Sequence, residues 1–121
     1  MTTQEIADKL VAYCRENKFD IAQQELYAVD ATSTEPAGAQ GFQSVKGIDK
    51  IVEKGHQFQS MIEAVHNASV SDPHVAGNFF SIALLFDVTL KGMGRVNMDE
   101  IAVYEVKNGK VISEEFFYTT M

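Results

Sequence analysis

The sequence predicts an α+β domain in which three N-terminal helices pack on one face of a curved antiparallel sheet. Apolar residues recur at helical spacing through the first half, and from Ala64 onward the pattern changes to alternation at period two. Asn108-Gly109, set between two alternating runs, supplies the positive-φ pair that a two-residue type I′ hairpin demands. A chain of 121 residues is one domain, long enough to build a core without a disulfide or a structural metal.

Thr2 and Glu5 have the spacing of a capping box, so the first helix begins there, and Ile6, Leu10, Tyr13 and Cys14 form its apolar stripe. The stripe ends near Asn17-Lys18. Asp20 is read as the cap of a second short helix running to about Tyr27, with Ile21, Ala22 and Leu26 buried. A short strand is expected at 31–34, before Pro36-Ala37-Gly38 turns the chain. After an irregular stretch over 41–47, Ile48, Ile51, Val52, Gly55, Phe58 and Ile62 line one side of a third helix, while Lys50, Glu53, Lys54 and Gln57 face water.

Strands follow at 64–71, 78–90, 95–107 and 111–119, separated by Asp72-Pro73, by Lys91-Gly92-Met93-Gly94 and by Asn108-Gly109. In the long strand Phe80, Ile82, Leu84, Phe86, Val88 and Leu90 make an unbroken apolar face. The opposite face, with Ser81, Ala83, Leu85 and Asp87, is mixed, and such a face suits a dimer contact.

Charge and composition exclude several classes. With 17 acidic against 10 basic residues and a net charge of -7, the average field repels phosphate backbones and anionic bilayers, so neither nucleic acid nor membrane is an expected partner. The opening residues carry no basic or apolar leader and no apolar run spans a bilayer, which reads as a cytoplasmic protein. Cys14 is the only cysteine and reads as a small buried apolar residue. The histidines lack the spacing of a helical metal pair, so no metal and no cofactor are expected.

Three segments then carry a resemblance. Leu-Tyr-Ala-Val-Asp-Ala-Thr-Ser-Thr-Glu-Pro-Ala-Gly at 26–38, the helix opened by Gly47-Ile48, and Asn-Gly-Lys-Val-Ile-Ser-Glu-Glu-Phe-Phe-Tyr at 108–118, together with the element order, resemble the SnoaL-like families. These stand with the ketosteroid isomerases in the nuclear-transport-factor-2-like superfamily. The resemblance covers nearly the whole chain and implies a cone-shaped fold around a pocket for a small hydrophobic or partly polar molecule, in a homodimer. It implies no single reaction: the superfamily holds isomerases, cyclases and dehydratases beside modules that only bind or dimerise.

By segment match Glu35, before Pro36, stands where ketosteroid isomerases carry the carboxylate that moves the proton. The matching positions for the tyrosine and the acid that polarise the carbonyl fall on Val11 and Ala102, so other donors are needed, from Tyr13, Tyr104, Tyr118 or a histidine. The same match turns Ile112, Glu114, Phe116 and Tyr118 into the cone, which makes Glu114 a second carboxyl candidate; a register shifted by one would turn Glu115 inward instead. Glu35 has its own alternative as a solvated turn carboxylate. His56 and His66 are candidate proton carriers or else structural histidines, and His74 is read as a loop residue. Tyr13, Phe58, Phe80, Ile82, Leu84, Met98, Tyr104, Phe116 and Tyr118 are the candidate pocket lining, while Met61 and Met93 are read as adaptable packing. Two functions remain open: an isomerase, cyclase or dehydratase working by carboxylate acid/base chemistry, and a binding or dimerisation module.

Overall fold

A computed structural model describes residues 1–39 and 41–120. The first helix, α1 (Thr3–Arg15), opens on the capping box: the Glu5 amide donates to Thr2 Oγ1 at 3.1 Å and the Thr2 amide to Glu5 Oε1 at 2.9 Å. Its inner face is Ile6, Ala7, Leu10, Val11 and Cys14. Asn17 then takes a left-handed φ of 59°, which turns the chain into α2 (Phe19–Leu26). Here two expectations are corrected. Lys18, not Asp20, occupies the N-cap position: the first helical bond runs from the Ala22 amide to the Lys18 carbonyl at 3.1 Å, and Asp20 lies inside the first turn with its carboxylate accepting from the amide of Ile21. Ile21 is 44% exposed, since only Ala22 and Leu26 of this short helix reach the core.

Tyr27 begins β1 (Tyr27–Thr34) rather than ending the helix. β2 (Val45–Lys46) pairs with it, and Gly47, at φ 102° and with its amide donating to Ala31 O at 2.8 Å, admits the chain to α3 (Ile48–Met61). A side chain at that φ would be strained, so Gly is required there. The chain continues through β3 (Ile62–Val70), β4 (His74–Ala76), β5 (Phe79–Leu90), β6 (Gly94–Lys107) and β7 (Lys110–Phe117). His74 thus sits on a strand, paired with Ser81, and not in a loop. Met93 lies 65% exposed at the β5–β6 turn and packs nothing, contrary to the expectation for it.

The fold is α+β, with three helices and a seven-stranded sheet ordered β2-β1-β7-β6-β5-β3, β4 also pairing with β5. The sheet is antiparallel except at one place: β1 runs parallel to β7. Between β1 and β3 the chain runs through β2 and α3, and the last strand returns beside the first. Asn108 (φ 53°) and Gly109 (φ 74°) form the expected β6–β7 turn. The core joins α1, α2 and the inner face of the sheet, where Phe80 stacks on Tyr104 with ring centroids 4.7 Å apart.

On β7 the alternation breaks. Glu105 faces Ser113 while Val106 faces Val111, so Ile112 is an extra residue, a β-bulge. Val111 is therefore the inward residue before the bulge, in place of Ile112, and Glu114 is inward after it. Glu115 is exposed, which settles the register in favour of Glu114.

Candidate functional site

Between α1, α2, α3 and the inner face of the sheet lies a cavity of about 610 Å³, with a smaller one of about 120 Å³ beside it. Gln23, Phe58, Phe86, Glu100, Glu114 and Phe116 line both, so the two are lobes of one site. The mouth of the larger lobe is held by Arg15, whose guanidinium donates to Val70 O and, at 2.8 Å, to Asp72 Oδ1. That clamp joins the end of α1 to the end of β3.

A chain of hydrogen bonds crosses the floor. Tyr118 Oη donates to Glu35 Oε1 at 2.7 Å, and Lys54 Nζ donates to Glu35 Oε2 at 2.8 Å and to Ser33 Oγ at 2.7 Å. Ser33 Oγ donates in turn to Glu114 Oε2 at 3.2 Å, and Tyr27 Oη to Glu114 Oε1 at 2.5 Å. The network links β1, α3 and β7 through their inward side chains.

Glu114 is 3% exposed and has only neutral donors on its oxygens. Burial raises its pKa to about 7, against the opposing pull of the Tyr27 hydrogen bond and of Lys54. Burial likewise raises Glu100 to about 7, helped by the charges of Glu35 and Glu114. Among the described residues Glu100 has no hydrogen-bond or ion-pair partner. The phenols of Tyr27 and Tyr104 are pushed well above their usual range by burial and by Glu114. Cys14, at the cavity wall, is pushed by burial to about 12 and so stays a thiol.

The expected site residues divide. Glu35, Glu114, Phe58, Leu84, Met98, Tyr104, Phe116 and Tyr118 all line one lobe or the other. Glu35 is 8% exposed on its side chain and paired with Lys54, so it is not a solvated turn carboxylate. Phe80 and Ile82 point inward but are sealed in the core at 1% exposure, leaving Leu84, Phe86 and Val88 as the wall of the cavity. Tyr13 is half-buried beside Glu25 on the helical layer, outside both lobes. His56 reaches only the mouth, exposed and 3.7 Å from Asp20. His66 is on the other side of the sheet, bonded to Thr89 Oγ1 at 2.7 Å, because the register shift between Ile62 and Ala64 turns Val65 to the cavity and its neighbour His66 outward.

Four residues of the site escaped the sequence reading. Lys54 was assigned to water because it is charged, although it lies three residues after Ile51 and four before Phe58, on the flank of the buried stripe. Glu100 lies between Met98 and Ala102 on the same alternating face as Tyr104, so strand period alone places it inward. Ser33 shares its face with Ala31, and Tyr27 was hidden by the helix boundary. Among the described residues no group of three or more His, Cys, Asp or Glu side chains is arranged to hold a metal ion, and no helix is long and apolar enough to cross a membrane.

Comparison with known proteins places this geometry. Residues 1–118 match the family model of the SnoaL-like domain. A crystal structure from Mesorhizobium loti, described as a candidate SnoaL-like polyketide cyclase, is 35% identical over 98% of this chain and 100% of its own, with a TM-score of 0.89. An NTF2-like protein from Burkholderia thailandensis superposes with a TM-score of 0.83 at 19% identity, covering 97% of this chain and 90% of that one. A protein with a ketosteroid isomerase-like fold from Catenulispora acidiphila, in complex with trimethylamine, gives 0.70 at 19% identity over 95% and 85% of the two chains. No curated protein sequence matches significantly. The family model, spanning nearly every residue from the capping box to Tyr118, establishes that the chain belongs to the SnoaL-like domain family and has the NTF2-like fold.

Proposed function

We propose that the cavity binds a small, largely apolar molecule and that Glu114 moves a proton on it without a cofactor, as an isomerase, cyclase or dehydratase does. The observation that carries this reading is Glu114 itself: a carboxyl lining both lobes, fixed by Tyr27 and Ser33 and titrating at about 7. A carboxyl poised there has both protonation states available at neutral pH, so it takes a proton from a carbon next to a carbonyl and returns it at another position. The role passes to Glu114 from Glu35 because both oxygens of Glu35 are engaged by Lys54 and Tyr118. Glu35 instead holds Lys54, whose ammonium supplies the positive field for the oxygen that gains charge. Cyclase descriptions of SnoaL-like proteins at this size and fold accord with proton transfer of this kind.

The test is deuterium uptake from heavy water into a panel of cyclic ketones and diketones, followed by NMR with wild type and Glu114→Gln. Wild type should exchange at least about a hundredfold faster than the variant, the usual scale for one acid/base group. Equal rates, with ligand still bound, would replace this reading by a binding module without chemistry.

A homodimer through the outer face of the sheet is proposed beside it. Phe79, Leu85, Ile101 and Phe117 are each about half exposed there, and Ile101 lies opposite both Ala83 and Phe117 in one row. Ser81 and Asp87 belong to the same face, Asp87 neutralised by a two-pronged bond from Arg95 at 3.0 and 2.8 Å. A two-fold contact lets one such patch serve both copies. Sedimentation of wild type against Ile101→Lys tests it; a monomeric wild type at micromolar concentration rejects it.

A further inference from the structure

The cavity is unbalanced in charge. Three carboxyls, Glu35, Glu100 and Glu114, line it against the single ammonium of Lys54 on its floor. Lys54 is already spent on Glu35 and Ser33, and Arg15 at the mouth is spent on Asp72 and Val70. Glu114 has Tyr27 and Ser33. Glu100 alone of these faces the space with no protein partner on its oxygens among the described residues, on a wall it shares with Phe86, Phe58, Phe116, Met98 and Gln23.

Those rings add a second preference. Aromatic faces attract cations, and the site shows this within itself: Lys54 Nζ stands 5.5 Å from the centroid of Phe116. Phe19 and Phe86 meet edge to face at 6.2 Å, and both line the larger lobe. The net charge of -7 draws cations toward such a mouth and repels anions.

We infer that the ligand of this cavity carries a cationic nitrogen, an ammonium or quaternary ammonium group on an apolar body, seated against Glu100 between the aromatic walls; this specifies the substrate class of the small-molecule site proposed above and rests on that reading. The cation supplies the countercharge that Glu100 lacks, and it does so without displacing any hydrogen bond of the floor network. An anionic ligand meets three carboxyls, and a neutral one offers Glu100 at most a hydrogen bond without a countercharge. The groups facing Glu100 are Glu114 from β7, Glu35 after β1, Lys54 from α3 and the phenols of Tyr104 and Tyr118; His56 and Asp20 stand at the mouth. A bound cation favours the ionised form of Glu100, so binding near neutrality releases a proton to solvent.

Three probes of similar size separate the possibilities by calorimetry on the whole protein: benzyltrimethylammonium, its neutral near-isostere benzyl dimethyl carbinol, and phenylacetate. At pH 8 the cation should bind about tenfold tighter than the carbinol, a margin typical of one desolvated cation–π and charge contact, and phenylacetate should be weakest. The margin should shrink by pH 5.5, and heats measured near neutrality in buffers of different ionisation enthalpy should show proton release. Glu100→Gln should erase the cation's advantage over the carbinol, and Glu100→Met provides a second uncharged variant. Should the carbinol bind as tightly as the cation, or the preference survive both variants, the inference is overturned while the small-molecule site stands. If none of the three binds, the site reading falls and the inference with it.

Discussion

Glu35 and Glu100 line the same small lobe and have opposite surroundings. Glu35 gives one oxygen to Lys54 and the other to Tyr118, so its charge is compensated on the spot. Glu100 has no cation or hydroxyl bonded to its oxygens among the described residues, and burial holds its proton on up to about pH 7. Glu114 falls between them, with two neutral donors and no ammonium of its own. All three are glutamates lining the cavity, with Glu114 the most buried at 3% exposed, and what sets them further apart is the partner. A carboxylate with a buried cation is architecture; one with only neutral donors, or none, is free to change its protonation state when a ligand arrives.

The largest expected effect breaks the compensated side. Lys54→Met leaves Glu35 beside the apolar lobe without its cation, and at pH 7 it should cost about 3 kcal/mol in urea unfolding, the scale for removing one partner of a largely buried ion pair. Adding Glu35→Gln should recover part of that loss, and a double-mutant cycle reads the coupling directly. Strict additivity of the two changes would mean that the ion pair does not organise the floor.

Next comes the pH dependence of the uncompensated side. The ordinary value for Glu114 is 4.5 and burial raises it to about 7, so between those values the folded chain keeps a proton that the unfolded chain has lost. Stability therefore falls as pH rises through that window, by about 3 kcal/mol for a shift of this size. Glu100 shifts in the same direction and steepens the fall. Glu114→Gln should flatten the profile and leave the variant more stable than wild type above pH 7. A wild-type profile that rises from pH 4.5 to 7 would contradict the assignment.

A smaller change sharpens the same comparison. Tyr27→Phe removes the donor that opposes the upward shift of Glu114, so the carboxyl should titrate higher still, and stability should drop by about 1–2 kcal/mol for the buried bond lost. An unchanged Glu114 titration would show that the 2.5 Å contact does not bear on its charge.

Much of this was legible in the residues, for identifiable reasons. The capping box at Thr2 and Glu5, the Asn108-Gly109 turn and the alternating face of β5 are local signals, and each appears where the spacing puts it. The α+β layering follows from the change of period. The parallel β1–β7 pairing is a contact across the whole chain, and nothing local encodes it. The Ile112 bulge breaks a strict alternation, so it misassigned Ile112 while leaving Glu114 correctly inward. Lys54 was missed because a charged residue was assigned to water although helix geometry turned it inward, and Glu100 because the two faces of β6 were not told apart although strand period turns it inward. His66 failed through a register shift on β3, and Tyr13 because its half-buried side chain lies beside Glu25, while Leu10 and Cys14 of the same stripe line the cavity.

The central claim is that Glu114 keeps a proton to near neutrality inside a ligand-sized cavity. Carboxyl-selective NMR titration, with the Glu114→Gln spectrum assigning the resonance, measures this directly. The account predicts a midpoint near 7 that moves when a ligand fills the cavity. A midpoint at or below about 4.3, the value of a free Glu, would contradict it.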